Sequence, residues 1–241
     1  MRDDAFHSVL ERIEQAQSLP DLEQAIMGLI DVYGFAHAGY HALRLPNDPR
    51  ENPVVIHSYP QQWISRYRSQ RYFEIDPVVL QAARSILPVD WDRLVVPEGT
   101  PQLLFREALD FGIGRQGLTV PIRGARGDLA VFTVVSGLPE REWQSLKLAQ
   151  TRDIQLIGNY VHHRVLALCS DDTEPTIQLS RRERECLQWA AAGATIAGTA
   201  ERLHVSERAV RGYLDSARHK LASLTKAQAV ARAISLGIVE H

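Results

Sequence analysis

Residues 179–239 read LSRRERECLQWAAAGATIAGTAERLHVSERAVRGYLDSARHKLASLTKAQAVARAISLGIV, and this stretch punctuates itself into four helices. Ser180-Arg181-Arg182-Glu183 has capping-box spacing, in which the serine oxygen and the glutamate carboxylate each accept from an orphan amide at a helix start. Leu187, Trp189, Ala190 and Ala191 follow, and Gly193 stands where a left-handed residue ends a helix. A second helix is predicted from about Thr195 to Leu203, with Ala200 and Leu203 turned inward. His204-Val205-Ser206 makes a short turn, with Ser206 as N-cap of a third helix. In that helix Val210, Leu214, Ala217 and Leu221 recur at i, i+4, i+7 and i+11, a stripe that asks to be buried. Arg208, Arg211, Asp215, Arg218 and His219 fall elsewhere on it. Ala229, Val230, Ala233 and Ile234 belong to a final helix.

Two short helices, a tight turn and a third helix with an arginine-studded outer face are what reading a DNA major groove requires. Arg211 is the base-reading candidate, because a guanidinium fork matches O6 and N7 of guanine. Arg208, Arg218 and Lys220 are placed for phosphate contacts, which position a protein without reading sequence. Charge agrees with this polarity. From Thr176 onward there are ten Lys and Arg against six Asp and Glu, a net of +4, whereas residues 1–175 carry 17 against 23, a net of −6. Periodicity alone still leaves open a plain helical bundle with a solvated charged face.

Working back from this module, Ser170-Asp171-Asp172-Thr173-Glu174-Pro175-Thr176 is short, acidic and closed by proline, as linkers are. It predicts three segments: a domain over 1–169, a linker over 170–176 and the helical domain over 177–241. In the first, Val9, Ile13 and Ala16 share one helical face, and Leu22, Ala25, Ile26, Leu29, Ile30 and Tyr33 share another. A strand-like run spans Ala36 to Leu43, followed by Val54-Val55-Ile56. Trp63, Ile64 and Tyr67 mark a helix starting near Pro60, and Pro101 opens another through Phe111. Leu118–Ile122 and Leu129–Val135 form a hairpin across residues 123–128. A long helix runs from about Glu140 to Leu168. The pattern is α+β: an antiparallel sheet with helices on both faces, an α/β/α sandwich, followed by an all-α helix-turn-helix domain.

No run approaches the ~20 apolar residues of a membrane span. The start, MRDDAFHSVLERIEQA, lacks the basic end and unbroken apolar core of a secretory signal, so a cytoplasmic protein without membrane partners is expected. Cys169 and Cys186 stand apart without paired metal-site spacing, and both are read as buried thiols. No Ser/His/Asp arrangement, phosphate-binding glycine loop or His–Cys cluster is present, so no enzyme, metal or cofactor is expected. His162-His163 are i, i+1 neighbours that cannot share a face, and are read as solvated helix surface. An acidic receiver domain, as in response-regulator output proteins, is also disfavoured by the aromatic pattern of the first hundred residues.

Residues 179–239 resemble the C-terminal domain of LuxR-type quorum-sensing regulators, including Glu183, Leu187 and Gly193 at that family's spacing. Ala194 stands where a lysine is frequent and Gly198 where an acid is frequent. Gly212 and Asp215 fall on the face that meets bases. The resemblance implies that Ser206, Arg208, Arg211, Gly212, Asp215 and Arg218 meet promoter DNA, with a target of its own. It extends upstream: Tyr59-Pro60, Trp63, Tyr67, Tyr72, Asp76-Pro77 and Trp91 follow the order and spacing of the same family's acyl-homoserine-lactone sensor, and Gly117-Leu118-Thr119-Val120-Pro121 resembles its later glycine segment. By that resemblance Asp76 accepts from the signal's amide N–H, the donor-only indole of Trp63 meets the lactone carbonyl, and the Tyr59 phenol meets the amide carbonyl. Tyr67, Trp91 and Phe105 wall the pocket, and Thr119 or Thr133 meets a substituent on the acyl chain. The expected protein is a ligand-responsive transcription regulator acting as a homodimer on double-stranded promoter DNA, with RNA polymerase as a further partner. A relative sensing another acyl or aryl molecule, or acting without ligand, stays open.

Overall fold

The computed structural model describes residues 2–45, 54–124, 127–169 and 177–239, so the expected linker lies outside the described residues. The chain divides into two compact units, one made of Met1–Arg123 with Leu129–Asp171 and one centred on the C-terminal helices. In the first, the hairpin strands β4 (Gln116–Arg123) and β5 (Leu129–Ser136) are buried almost throughout. Their mostly apolar sequences, QGLTVPIR and LAVFTVVS, suit strands covered on both faces. β1 (His37–Arg44) pairs with β5 on the hairpin's other side. β2 (Val55–His57) and β3 (Val89–Asp90) supply the edges, giving a fully antiparallel sheet in the order β2-β1-β5-β4-β3.

Side-chain alternation along these strands builds two different faces. Ala38, Tyr40 and Ala42 of β1, Leu118, Val120 and Ile122 of β4, and Ala130, Phe132 and Val134 of β5 enter the main core. They pack beneath α1 (Arg2–Gln15), α2 (Leu19–Tyr33) and α6 (Glu140–Cys169). Val9, Ile13 and Ala16 lie buried there as their spacing predicted. The intervening residues, among them Gly39, His41, Val131 and Thr133, face the other way and line a cavity with α3 (Gln61–Ser69), α4 (Pro77–Ala82) and α5 (Thr100–Asp110).

Two readings of α6 need correction. His162 is buried, and its Nδ1 shares a 2.7 Å hydrogen bond with the Tyr40 hydroxyl on β1. It stands four residues after Gly158 and eight after Ile154, on the helix's buried stripe, whereas His163 falls off that stripe and is exposed. Cys169 is half-buried, not enclosed, while Cys186 is buried.

The second unit packs α7 (Arg181–Ala191), α8 (Ile196–Leu203), α9 (Glu207–Lys220) and α10 (Lys226–Ser235) around one core containing Leu187, Val210, Leu214, Ala217 and Leu221. The capping box closes in both directions, Ser180 Oγ accepting from the Glu183 amide and Glu183 from the Ser180 amide. Thr195 and Ser206 cap α8 and α9, and Gly193 takes the left-handed conformation at φ 75°. Glu183 does more than cap. Ser216 Oγ and Lys220 Nζ of α9 both donate to its carboxylate, at 2.6 and 2.8 Å. Lys220 is therefore paired with Glu183, while its own side chain stays 42% exposed.

Burial pushes the Glu183 pKa up, but the bonds from Lys220, Ser216 and Ser180 outweigh it and hold the group at about 2, against an ordinary 4.5. Because the folded-state value is depressed, the unfolded chain takes up this proton first as pH falls. The stabilisation is therefore complete above about pH 4.5 and is lost as pH drops towards 2. Glu183→Gln is expected to destabilise the helical unit at neutral pH by about 1.5–3 kcal/mol, with a smaller difference from wild type in acid. Denaturant unfolding at several pH values measures both.

Candidate functional site

The cavity between the sheet and α3, α4 and α5 has a volume of about 430 Å³, within the roughly 300–1,000 Å³ typical of small-molecule pockets. Of the eight expected ligand residues, Tyr59, Trp63, Tyr67, Asp76, Trp91, Phe105 and Thr133 line it. Thr119 does not. It is fully buried behind the wall, accepting from Trp91 Nε1 at 3.0 Å and hydrogen-bonded to Thr133 Oγ1 at 2.9 Å. Its role in this geometry is to orient two wall residues.

Local sequence explains how each side chain arrives. Pro60 starts α3, and i, i+4 spacing turns Trp63 and Tyr67 to the same side. Asp76 is the N-cap of α4, its Oδ1 accepting from the Val78 amide at 2.8 Å with Pro77 in the first helical turn. Its other oxygen accepts from the Tyr67 hydroxyl at 2.8 Å. The same carboxylate is thus a helix cap and a cavity wall. Burial raises the Asp76 pKa, opposed by the Tyr67 hydroxyl and the amides of Val78 and Val79. Burial, followed by the Asp76 charge, also pushes the Tyr59 and Tyr67 phenols up, so both keep their protons as donors. Neither the Tyr59 hydroxyl nor the Trp63 indole N–H is engaged by an acceptor among the described residues. Outside the cavity, Glu107 of α5 accepts from Arg66 Nε and the Tyr72 hydroxyl, both at 2.8 Å, bracing α3 against α5.

Trp91 follows β3 on a short 3₁₀ turn whose flanking Asp90 and Asp92 grip the buried Lys147 of α6, at 2.6 and 3.2 Å. Its ring rests directly on the backbone of Gly117, where a β-carbon would stand 2.6 Å from Trp91 Cδ2. Only glycine allows this approach. Gly117→Ala is expected to displace the indole, break its bond to Thr119 and cost about 1–3 kcal/mol. Thermal unfolding and tryptophan fluorescence of that variant measure the loss.

Residues the sequence reading did not single out also line the cavity, chiefly His41, His57, Arg68, Val78 and Val131. Strand alternation could have found His41, which shares a face with Gly39. Nothing marked Arg68, an exposed residue whose position gives no burial signal.

On α9, Arg208, Arg211, Gly212 and Asp215 are exposed at i, i+3, i+4 and i+7, opposite the buried stripe, and Ser206 is exposed at the cap. Arg211 holds Glu207 at 2.7 Å, an exposed pair that exchanges at little cost. Arg218, i+7 from Arg211, sits at the C-terminal end of the same face but is half-buried: it donates to the Ser223 carbonyl at 3.2 Å and stands 3.8 Å from Asp215. No group of three or more metal-ligating side chains occurs among the described residues, and no described helix is long and apolar enough to cross a membrane.

The family model for the autoinducer binding domain matches residues 18–165, and that for bacterial regulatory proteins of the luxR family matches residues 177–233. The chain belongs to the LuxR family of autoinducer-binding transcription regulators. Among its relatives, the transcriptional activator protein RaiR of Rhizobium etli is 38% identical over 178 residues, covering 73% of this chain and 74% of RaiR. The quorum-sensing regulator RhlR of Pseudomonas aeruginosa is 28% identical, covering 98% and 95%. The fold is that of Escherichia coli SdiA, with a TM-score of 0.71 at 22% identity over 98% of each chain. CepR2 from Burkholderia cenocepacia matches with a TM-score of 0.58 at 22% identity, covering 70% of this chain and 99% of CepR2.

Proposed function

We propose that residues 1–169 bind an acyl-homoserine-lactone-type signal and that residues 177–241, joined through 170–176, bind double-stranded promoter DNA as part of a homodimer. The protein acts in the cytoplasm, catalyses no reaction and hands its signal on to RNA polymerase. The observation that carries this reading is the polar set around one cavity: the Asp76 carboxylate as acceptor, with the Tyr59 hydroxyl and Trp63 indole as donors without protein acceptors. An acyl-homoserine lactone offers the complement, one amide N–H and two carbonyls on an apolar chain. Arg211, Arg208 and Ser206 are the base-reading, phosphate and helix-start contacts, with Gly212 and Asp215 beside them on the same exposed face. That RhlR is a quorum-sensing regulator supports the same reading.

Self-association is favoured by apolar residues left outside the cores. Leu148 and Leu156 of α6 are exposed, at 82% and 40%. Footprinting with and without lactone, beside sedimentation of the protein, is the test. Lactone-dependent protection of a two-fold symmetric site, with half-sites about one helical turn or a multiple apart, is expected. An asymmetric single site bound by a monomer contradicts it.

A further inference from the structure

Lys147 of α6 is 6% exposed and shares a helical stripe with the buried Trp143, Gln150 and Ile154. A lysine is rarely enclosed unless paired, because its ammonium gives up strong hydration. Its Nζ lies 5.7 Å from the centre of the Trp143 ring and donates to Asp90 at 2.6 Å and to Asp92 at 3.2 Å. Gln144, one turn earlier, donates to Asp92 at 2.7 Å. Stability alone does not account for this choice, since well-packed hydrocarbon is often at least as stable as a buried ion pair. What the charges supply is a fixed attachment between α6 and one short stretch of chain.

That stretch is the turn carrying Trp91, whose two neighbours are Asp90 and Asp92. α6 packs on the main-core face of the sheet, Trp91 lines the cavity on the other, and β3 is the edge strand between them. β3 alone holds the turn weakly, through the pairs Val89–Thr119 and Asp90–Leu118. The Trp91 ring rests on Gly117, donates to Thr119 and meets Phe105 edge-on at 6.2 Å. Its place in the wall is therefore set by β4 beneath it and by Lys147 reaching round the sheet edge.

We infer that Lys147 is a positioning residue of the ligand cavity, anchoring the Trp91 wall to α6 through Asp90 and Asp92. Without the ammonium, both carboxylates lose their buried cation and turn to water, drawing the turn and its indole outward. Arg93, 3.8 Å from Asp90 and 88% exposed, is a weak substitute. The inference rests on the lactone reading for the molecule the wall grips, whereas the place of the ring is read without ligand.

The test uses full-length protein labelled with fluorotryptophan, which gives a fluorine resonance for each of its four tryptophans. Trp91→Leu identifies one of them. Without ligand, Lys147→Met is expected to shift the Trp91 resonance and raise its response to deuterated solvent. The Trp143 resonance shifts with it, because Lys147 lies over that ring, while Trp63 and Trp189 stay in place. Lys147→Arg, which keeps the charge, restores the Trp91 signal. In calorimetry with straight-chain acyl-homoserine lactones, Lys147→Met is expected to bind at least about tenfold more weakly than wild type. That loss shrinks below about threefold when Trp91 is already leucine, since the effect passes through the ring. Asp92→Asn, which breaks one ion pair and strands no buried charge, carries the same expected directions should Lys147→Met not fold. An unmoved Trp91 resonance in folded variant protein overturns the inference, as does an affinity loss equal with and without the ring. If wild type binds no lactone, the lactone reading falls and the Trp91 resonance alone decides the inference.

Discussion

Asp76→Asn is expected to raise the signal concentration needed for half-maximal response at least tenfold, in a protein that remains folded. Asparagine is as good an N-cap as aspartate, so the bond from the Val78 amide to Oδ1 survives and α4 keeps its start. What changes is the other oxygen. The carboxylate accepts from the Tyr67 hydroxyl and has capacity left for a ligand N–H. An amide turns a donor toward one of these partners and removes the charge that strengthens both bonds. Losing a charge-assisted hydrogen bond in a closed site costs about 1.5–3 kcal/mol, which sets the size of the shift. A reporter titrated with lactones, alongside thermal unfolding without ligand, separates recognition from stability. An unchanged dose–response in soluble protein removes Asp76 from the site.

Arg211→Ala is expected to cut discrimination between the target site and random DNA by roughly 1–3 kcal/mol. Arg211 is exposed on the outer face of α9, and its present partner, Glu207, is itself about half exposed, so little is lost when the guanidinium turns to a base. Arg208→Ala supplies the contrast, because it should weaken binding to all sequences alike and flatten the salt dependence. Arg218 serves poorly for that comparison. Its bond to the Ser223 carbonyl makes it part of the end of α9, so its removal disturbs folding as well as phosphate contact. Equal losses on specific and random DNA from Arg211→Ala contradict the assignment.

The C-terminal unit was legible because its signals are local. Ser180, Thr195 and Ser206 cap within three residues of their own position, and the Val210–Leu221 stripe lies on a single helix. The hairpin β4–β5 was legible for the same reason. The two-residue strand β3 was not, since Val89-Asp90 is too short to alternate and exists only through pairing with Leu118 and Thr119. In the cavity, the aromatic wall and Asp76 came from resemblance to a family, and the geometry brings most of them together. Thr119 was misplaced because its neighbour across the ladder, Thr133, takes the wall position while Trp91 covers it. His41 and His57 escaped notice, and His162 was misread as solvated surface, because a histidine's side chain does not announce burial. Their positions depend on strand pairing and on the packing of α6, which no local window contains.

The central claim is that this cavity holds an acyl-homoserine-lactone-type molecule. Mass spectrometry of small molecules extracted from the full-length protein, purified from cells grown with and without a panel of such lactones, tests it most directly. The account predicts that one lactone is retained in proportion to the protein, and that the same extraction from Asp76→Asn yields much less of it. Protein that folds, purifies and retains no lactone from any member of the panel would contradict the account.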